Sequence, residues 1–424
     1  MLVGAVALFA RLGYLYALTD VQSTPSDASH YHELASNLAT GRGYVMHFPQ
    51  LFDHASAFRP PAYPALLGIW YRVVGVDVVR GKWLNVLIGV GVVILVAALA
   101  ARLGGQTAGL ISGLTAALFP PLIANDVHLL SEPLALALML GMVLLLLDRR
   151  WAPASVLLGV LVLTRPSAPL LVLVVVVWLA ATVSRRAALG ALAIVAVIVV
   201  PWVARNVADV GLADLTSSNG FNLAAVYSSP AQASGGFVDP VYDPRFDDHR
   251  LDQFDEAGWA RRLRDDGIEG LRSNPGYVAR HVAGNVVDTL EVRPAMSEPA
   301  EVSDGRNLTA RSVGLPMFWL VLAIGTYGLW LLRRDAGGRL LIGIAGATLV
   351  ANAVFLAPPR LRAPIDVVLL VGVGIGAVAL NGAWIARRQR SAGAPASAQV
   401  LERAASTRSA TSLMMRPSSK SLGV

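Results

Sequence analysis

The stretch "WLNVLIGVGVVILVAALAA", residues 83–101, decides the class of the fold. It runs for 19 residues without one acidic or basic side chain. A helix needs about 20 apolar residues to cross the hydrocarbon core of a bilayer. This stretch therefore predicts a transmembrane helix.

Comparable apolar runs recur along the chain. Of its 424 residues, 55% are hydrophobic and 15% are charged, whereas soluble domains carry about 25% charged residues. We predict an all-α polytopic membrane protein with about ten transmembrane helices plus juxtamembrane helices. The predicted spans are roughly 1–19, 83–101, 107–125, 133–148, 153–166, 169–183, 187–203, 314–332, 338–357 and 363–386. The shorter apolar run 61–76 contains Pro64, and we interpret it as an interfacial or re-entrant helix.

The distribution of Arg and Lys predicts the orientation, since basic loops stay on the cytoplasmic side. With the N-terminus inside, the arginines that flank most spans fall inside, and only Arg80 and Lys82 are exceptions. The loops that then fall outside are 20–82, 126–132, 204–313 and 358–362. The scarcity of Lys and the abundance of Ala, Val and Gly favour a high-GC bacterium, so we predict a multi-pass protein of the bacterial plasma membrane.

Four parts follow from these boundaries. They are a transmembrane catalytic module at 1–203, which includes the first outer loop 20–82, a small extracytoplasmic segment at 204–313 before the last three spans, the C-terminal transmembrane helices at 314–386, and a basic, disordered cytoplasmic tail at 387–424. The net charge of +7 conceals an acidic stretch, because residues 207–310 carry seventeen acids against nine arginines. A basic tail beside a membrane marks the cytoplasmic side more often than a nucleic-acid site. The chain has no cysteine, which excludes disulfides and a thiol nucleophile.

Polar side chains form three clusters on the predicted outer face. The stretch "SDASHYHELASNLATGRGY", residues 26–44, opens the first cluster, which continues to Arg59, and "NDVHLLSEPL", residues 125–134, holds the second. The third is a scattered set of arginines, Arg205, Arg360 and Arg362. The candidates that we single out are Asp27, Arg59, Asp126, His128, Glu132, Arg205, Arg360 and Arg362. A carboxylate accepts the proton of an attacking hydroxyl group, and the guanidinium fork matches phosphate oxygens. The clusters therefore indicate an enzyme that moves a group from a lipid phosphate to an acceptor.

Several of these residues also have a structural interpretation. Asp27 is a suitable N-cap for the helix that follows it, and Glu132 at the start of a span favours the helix dipole. Arg360 and Arg362 are equally suited to binding lipid head groups. Arg165 is either functional or a snorkelling side chain at a helix end.

A bound divalent metal stays an alternative for the first cluster. His30 and His32 have the side chains for it, but a His-x-His pair alone is a weak signal. We therefore assign no metal ligand.

The clusters, in their order along the chain, resemble the polytopic GT-C glycosyltransferases. The resemblance is to the family 39-type group, which includes protein O-mannosyltransferases and the aminoarabinose transferase of lipid A. It covers roughly residues 1–386. It is carried by "SDASHYHELASNLATGRGY", "FRPPAYPALLG", "LLSEPLALAL", "LTRPSAPLL", "PWVARN", "SSNGFNL" and "PPRLRAPID".

The resemblance implies a polyprenyl-phosphate sugar as donor and an inverting displacement. By position, Asp27 matches the catalytic base and Glu132 the acid of the second loop. Arg59 matches a basic residue near the donor phosphate, a role for which Arg205, Arg360 and Arg362 are further candidates. Tyr31 and Tyr63 match the lining of the sugar pocket, where we also expect Asp126 and His128.

Asp27 is followed by Ala28, whereas protein O-mannosyltransferases usually have Asp-Glu here. The acceptor therefore stays open among a glycolipid, a cell-wall glycan and a protein. Two alternatives from other classes are a transporter or flippase of lipid-linked glycans and a polymerase or ligase of the O-antigen type.

Overall fold

The computed structural model describes residues 1–47, 54–249 and 255–392. These residues are almost entirely helical, as predicted. The helices are α1 (Leu2–Leu18), α2 (Asp27–Ala39), α3 (Ala62–Val74), α4 (Val78–Gly104), α5 (Gln106–Ala117), α6 (Pro120–Asp126), α7 (Glu132–Leu147), α8 (Trp151–Val162), α9 (Pro169–Thr182), α10 (Arg185–Val210), α11 (Ser218–Tyr227), α12 (Ser229–Ser234), α13 (Glu256–Ser273), α14 (Pro275–Thr289), α15 (Pro294–Ser303), α16 (Leu308–Leu332), α17 (Ala336–Val354) and α18 (Ala363–Ala392).

Two 3-10 helices and one small sheet complete the described elements. The 3-10 helices are Pro244–His249 and Pro359–Arg362. Strands β1 (Val45–Met46) and β2 (His54–Ala55) pair antiparallel. The chain divides into two compact units, Met1–Gly376 and Ala377–Val424. The second unit holds the last part of α18, and residues 393–424 of the predicted tail lie outside the described residues.

Five described helices are long and apolar enough to cross a membrane: α4, α10, α16, α17 and Pro359–Ile385. The bent pair α5–α6 adds a sixth if it forms one span. The shorter apolar helices α1, α7, α8 and α9 occupy the four remaining predicted spans. The chain is therefore a multi-pass membrane protein, and the number of ten spans stays a prediction.

The break between α5 and α6 comes from its prolines. The axes of the two helices differ by 62°. Pro120 and Pro121 donate no backbone N–H, and Phe119 before them is extended. As a result, α6 brings Asp126 into the protein interior instead of continuing the line of α5.

The loop 20–82, predicted to lie outside, contains α2 and α3, which pack on each other, while α3 also packs on α4. A Cβ at Gly68 of α3 would lie 3.1 Å from the carbonyl oxygen of Ala35, so glycine permits this close approach. Helix α3 has 13 residues and matches the short apolar run predicted beside the membrane. The two helices fix the position of Asp27 at the start of α2 relative to the bundle.

Helices α16 and α18 meet through glycines. A Cβ at Gly328 would overlap the backbone of Gly372, and a Cβ at Gly325 would overlap that of Leu369. Small residues let transmembrane backbones approach closely and gain packing energy. This contact supports the start of α18 and the 3-10 turn Pro359–Arg362 before it.

Candidate active site

Asp27 is the first residue of α2. The N-cap is Ser26, and its side chain makes no capping hydrogen bond. The expectation that Asp27 caps this helix was therefore wrong. Ser26 has a φ of 49°, which is unusual for a residue other than glycine and often occurs near functional sites. The turn at Ser26 directs the Asp27 carboxylate toward two arginines from distant segments.

Arg59 and Arg360 hold the two oxygens of the Asp27 carboxylate separately. Nη2 of Arg59 donates to Oδ1 at 2.5 Å, and Nη2 of Arg360 donates to Oδ2 at 2.7 Å. The other terminal nitrogen of Arg360, Nη1, lies 3.1 Å from Oδ1 of Asp304. The side chain of Asp27 is 21% exposed, while those of Arg59 and Arg360 are 15% and 14% exposed. The sequence-predicted residues Asp27, Arg59 and Arg360 thus meet in one site.

The arginines set the charge of Asp27. Burial by itself raises the pKa of the Asp27 carboxyl, but the guanidinium groups of Arg360 and Arg59 outweigh burial and hold this pKa far below its usual range. Asp27 is therefore ionised, and it is a weak base as long as both arginines remain on it.

His30 stands one helical turn after Asp27 and faces Arg59. Its Nδ1 accepts from Nη2 of Arg59 at 3.0 Å. Burial, together with the charge of Arg59 and against that of Asp27, lowers the pKa of His30 to about 3. The imidazole is therefore neutral near pH 7. It helps to orient Arg59, whose guanidinium also stacks 4.8 Å above the ring of Phe58.

Glu132 forms a second acidic position with Arg165. Nη1 of Arg165 lies 2.7 Å from Oε1 of Glu132, and the Glu132 side chain is 5% exposed. The neighbouring Ser131 accepts from the hydroxyl group of Tyr31 at 3.2 Å. Arg59 in turn lies 5.6 Å from the ring centroid of Tyr31. Tyr31 therefore connects the surroundings of Glu132 with those of Asp27.

Tyr63 supports Tyr31 from behind. Their rings meet edge to face at 5.0 Å, and the Tyr63 hydroxyl donates to Oδ1 of Asn85 at 3.0 Å. Nδ2 of Asn85 donates to the carbonyl oxygens of His128 and Leu130, which fixes the segment before Glu132. Tyr63 is fully buried, so it positions Tyr31 rather than facing an open pocket.

The site keeps unused hydrogen-bonding capacity. Within the described part of the chain, Nε of Arg59, Nε of Arg360 and Oε2 of Glu132 are buried without a hydrogen-bond partner. Nη1 of Arg360 also makes no hydrogen bond there, and its contact with Asp304 is an ion pair. Buried polar groups are normally satisfied, and exceptions often mark functional positions. Two guanidinium N–H groups beside one carboxylate can receive an anion with several oxygens.

Arg205 lies apart from Asp27. Its Nη1 donates to the carbonyl oxygen of Ser56 at 2.6 Å, and its Nε pairs with Asp209 at 3.0 Å. Its guanidinium also lies over the rings of Trp202 and Tyr44. Because the hydroxyl group of Tyr44 donates to the carbonyl oxygen of Arg59, Arg205 supports the segment that carries Arg59.

Arg362 points away from the Asp27 site. Its Nε donates to Oδ1 of Asp366 at 2.8 Å, and its Nη1 lies 3.5 Å from Oε1 of Glu291. It is fully buried against the ring of Phe318. Arg360 and Arg362 therefore contact different groups, although only one residue separates them.

Asp126 and His128 are both buried, at 0% and 2% exposure. Asp126 pairs with Arg11 of α1 at 2.7 Å, and both side chains are fully buried. Within the described residues, neither ring nitrogen of His128 has a hydrogen-bond partner. Burial, together with the charges of Lys82 and Arg306, lowers the pKa of His128 to about 3, so the ring is neutral.

The Arg11–Asp126 pair is expected to stabilise the fold rather than act on substrate. Asp126→Asn leaves Arg11 buried without a counter-ion, which should lower the free energy of unfolding by about 3–5 kcal/mol. The combined variant Arg11→Met, Asp126→Leu should recover most of this loss, because an apolar pair removes both buried charges. Thermal unfolding in detergent measures both effects. A stable Asp126→Asn protein with impaired turnover would contradict a purely structural role.

His30 and His32 do not converge on one point. His30 faces Arg59, while Nδ1 of His32 lies 2.8 Å from the hydroxyl group of Tyr71. Among residues 1–47, 54–249 and 255–392, no three His, Asp or Glu side chains form a group suited to a metal ion.

Two ion-pair partners in the site, Asp304 and Arg165, were not predicted as such from the sequence. Asp304, beside Arg360, lies in an ordinary-looking turn of the acidic segment. Arg165 is conspicuous as a charge near a span, but only the structure pairs it with Glu132. Glu132 could be predicted as a candidate because it is a carboxylate at the end of a span. Its counter-ion could not be predicted in this way.

Comparison with known proteins supports the architecture. No protein-family model matches the sequence, and no curated protein matches it. The structure is similar to that of the archaeal oligosaccharyltransferase AglB from Archaeoglobus fulgidus, in complex with an inhibitory peptide and a dolichol-phosphate. The TM-score is 0.52 at 14% sequence identity, and the match covers 92% of this chain and 51% of that chain. This chain thus spans about half the length of the oligosaccharyltransferase.

A second structure of the Archaeoglobus fulgidus enzyme, in the apo form, gives a TM-score of 0.51 at 14% identity, covering 92% of this chain and 51% of that chain. ArnT from Cupriavidus metallidurans, bound to undecaprenyl phosphate, matches 93% of this chain and 81% of its own at 15% identity, with a TM-score of 0.41. That score is too low to support an argument. The two matches to AglB show that this chain shares its fold with about half of the archaeal oligosaccharyltransferase.

Proposed function

We propose that the protein transfers a sugar from a polyprenyl-phosphate donor to a hydroxyl group of an extracytoplasmic acceptor, with inversion at the anomeric carbon. One observation carries the proposal. The Asp27 carboxylate lies between two guanidinium groups whose Nε–H groups have no hydrogen-bond partner within the described residues. Asp27 as a base thus stands beside two arginines that can bind a phosphate. Group transfer from a lipid phosphate requires both functions in one site.

The reaction is a single displacement. The acceptor oxygen attacks the anomeric carbon, its proton passes to Asp27, and the bond between that carbon and the phosphate oxygen breaks. A phosphodiester with one negative charge then becomes a phosphate monoester with two. Arg59 and Arg360 stabilise the added charge, since groups placed where charge develops lower the barrier.

Donor binding also prepares the base. Both arginines lower the pKa of Asp27, against the effect of burial. A phosphate that takes hydrogen bonds from Arg59 and Arg360 withdraws them from Asp27, so the pKa of Asp27 rises and its basicity increases. Activation of the acceptor then follows donor binding, which limits unproductive chemistry in the empty site.

Glu132 and Tyr31 provide the sugar-binding side of the proposed site. Oε2 of Glu132 is buried without a hydrogen-bond partner in the described part of the chain. A sugar hydroxyl group is a suitable donor to it, while Arg165 keeps Glu132 ionised and oriented. Tyr31, which is buried, holds Ser131 and contacts Arg59, so it connects Glu132 with the phosphate-binding side of the proposed site.

Reconstitution tests the proposed reaction. The purified protein in lipid nanodiscs is supplied with a polyprenyl-phosphate sugar and an extracytoplasmic lipid or peptide fraction as acceptor. We expect equal amounts of polyprenyl phosphate without sugar and of glycosylated acceptor. A flippase would produce neither compound, so their absence together with movement of the intact donor across the bilayer would refute the proposal.

Transfer of a preassembled oligosaccharide is the second candidate. The fold likeness to an oligosaccharyltransferase, at a TM-score of 0.52, favours it. Native mass spectrometry of the protein purified from its membrane separates the candidates by the mass of the bound lipid. A monophosphate carrying one sugar supports the first, whereas a diphosphate carrying several sugars supports a polymerase, ligase or oligosaccharyltransferase. The proposed location of the site is the outer face of the bacterial plasma membrane.

A further inference from the structure

Arg360 lies between two carboxylates. Its Nη2 donates to Asp27 at 2.7 Å, and its Nη1 lies 3.1 Å from Asp304. Because Arg59 binds the other oxygen of Asp27, the charges alternate along the row Arg59, Asp27, Arg360, Asp304. The side chain of Asp304 is 6% exposed, so its interaction with Arg360 is weakly screened by water.

The segment of Asp304 is fixed relative to the start of α2. The amide of Asp304 donates to the carbonyl oxygen of Ala300 at 3.0 Å, which closes the end of α15. The next residue, Gly305, has a φ of 71°, and a Cβ there would lie 2.7 Å from Cγ of Pro25. Gly305, the residue after Asp304, therefore lies close to Pro25, which stands two residues before Asp27.

The following residue anchors the same turn from the other side. Nη1 of Arg306 lies 3.3 Å from Oε1 of Glu301, and Nη2 of Arg306 donates to Asn125. Arg306 is 6% exposed. The turn that carries Asp304 is thus attached both to α15 and to the end of α6.

Without Asp304, Arg360 would have one carboxylate instead of two. A guanidinium group prefers a bidentate pair with a single carboxylate when no other partner competes. Arg360 would then turn both terminal nitrogens toward Asp27. That change would withdraw Arg360 from a donor phosphate and lower the basicity of Asp27.

We propose that Asp304 is a positioning residue, which holds Arg360 by one nitrogen and prevents it from closing on Asp27. The inference rests on the proposed transfer reaction and adds a residue that acts through Arg360. The single Arg360–Asp27 hydrogen bond that remains is the one that the donor phosphate replaces.

The charge state of Asp304 is consistent with this role. Burial raises the pKa of Asp304 to about 6, although Arg360 and Arg306 act in the opposite direction. The carboxylate is thus ionised at neutral pH and is available to hold Arg360.

The test uses Asp304→Asn in nanodiscs, with three measurements: kcat, the affinity for undecaprenyl phosphate alone, and thermal unfolding. We expect kcat to fall about tenfold, because the ion pair that orients Arg360 is lost. The affinity for undecaprenyl phosphate should also fall, because Arg360 then gives both terminal nitrogens to Asp27, while the unfolding temperature should stay unchanged. Asp304→Glu should recover part of kcat.

Glu298 provides a control, because it is an exposed acid on α15, the helix that ends just before Asp304. Glu298→Gln should behave as wild type.

A double-mutant cycle with Arg360→Lys shows whether Asp304 acts through Arg360. The variant with both substitutions should have the kcat of Arg360→Lys alone. If the two substitutions reduced kcat independently, so that the double variant lost the product of the two factors, the inference would be overturned. It would also be overturned by an unchanged kcat in Asp304→Asn, or by a fall of kcat, affinity and unfolding temperature together in that variant. A wild-type protein that forms no product refutes the proposed reaction itself, whereas normal wild-type turnover with unaltered Asp304→Asn refutes only the role of Asp304.

Discussion

Asp27→Asn should reduce transfer by about 10²- to 10⁴-fold, the usual contribution of a general base. Its affinity for undecaprenyl phosphate should be equal to or higher than that of the wild type. The reason is that Asp27 is the group that holds Arg59 and Arg360 in the empty site, and asparagine holds them less strongly. Binding and turnover would then change in opposite directions, which a general loss of structure cannot produce.

Asp77→Asn is the matched control for Asp27→Asn. Asp77 lies in the same loop, 20–82, and caps α4 by accepting from the amide of Arg80 at 2.9 Å. Asparagine caps helices about as well as aspartate, so this variant should retain normal turnover and stability. Near-normal transfer by Asp27→Asn would remove Asp27 as the base and leave Glu132 as the remaining acid of the site.

Arg360→Gln should weaken binding of undecaprenyl phosphate by about 10- to 100-fold, because hydrogen bonds to charged groups contribute about 1.5–3 kcal/mol. Transfer should fall further, by about 10²- to 10³-fold, since the guanidinium group also stabilises charge that develops on the leaving phosphate. Arg360→Lys should retain part of the binding and part of the transfer, because lysine keeps the positive charge but lacks the forked guanidinium group. Calorimetry measures the binding of undecaprenyl phosphate, and product formation measures transfer.

Arg264→Gln is the control for the loss of one arginine. The Arg264 side chain is 51% exposed on α13 and contacts Asp265 at 3.5 Å. An exposed pair of this kind contributes at most about 1 kcal/mol. If Arg264→Gln and Arg360→Gln weakened phosphate binding equally, the effect would reflect overall charge, and the specific site at Arg360 would be contradicted.

The helical architecture could be predicted because apolar runs of membrane length are a strong signal. The stretch 83–101 is the clearest case and lies within α4, Val78–Gly104. The bend at Phe119 was not predicted, although Pro120 and Pro121 are a visible cause. Length and hydropathy predict that a segment crosses a membrane, but they do not predict how two half-helices turn at a proline pair.

The site could be predicted only in part, since residue type does not determine which charges meet. Asp27, Arg59 and Arg360 were all predicted, and the structure brings them together. Arg205 and Arg362 have the same chemistry in the sequence but are occupied by Asp209 and Asp366. Arg360 and Arg362 differ in the direction in which their side chains point, although they are two positions apart. A sequence pattern does not reveal this direction.

The hydrogen bond between Arg360 and Asp27 joins residues that are 333 positions apart. At a synthesis rate of roughly 5–20 residues per second, Asp27 leaves the ribosome about 20–70 s before Arg360 exists. During that time Arg59 is the only arginine of the pair available to Asp27. The nascent chain therefore inserts most of its helices before Arg360 can complete the pair of arginines on Asp27.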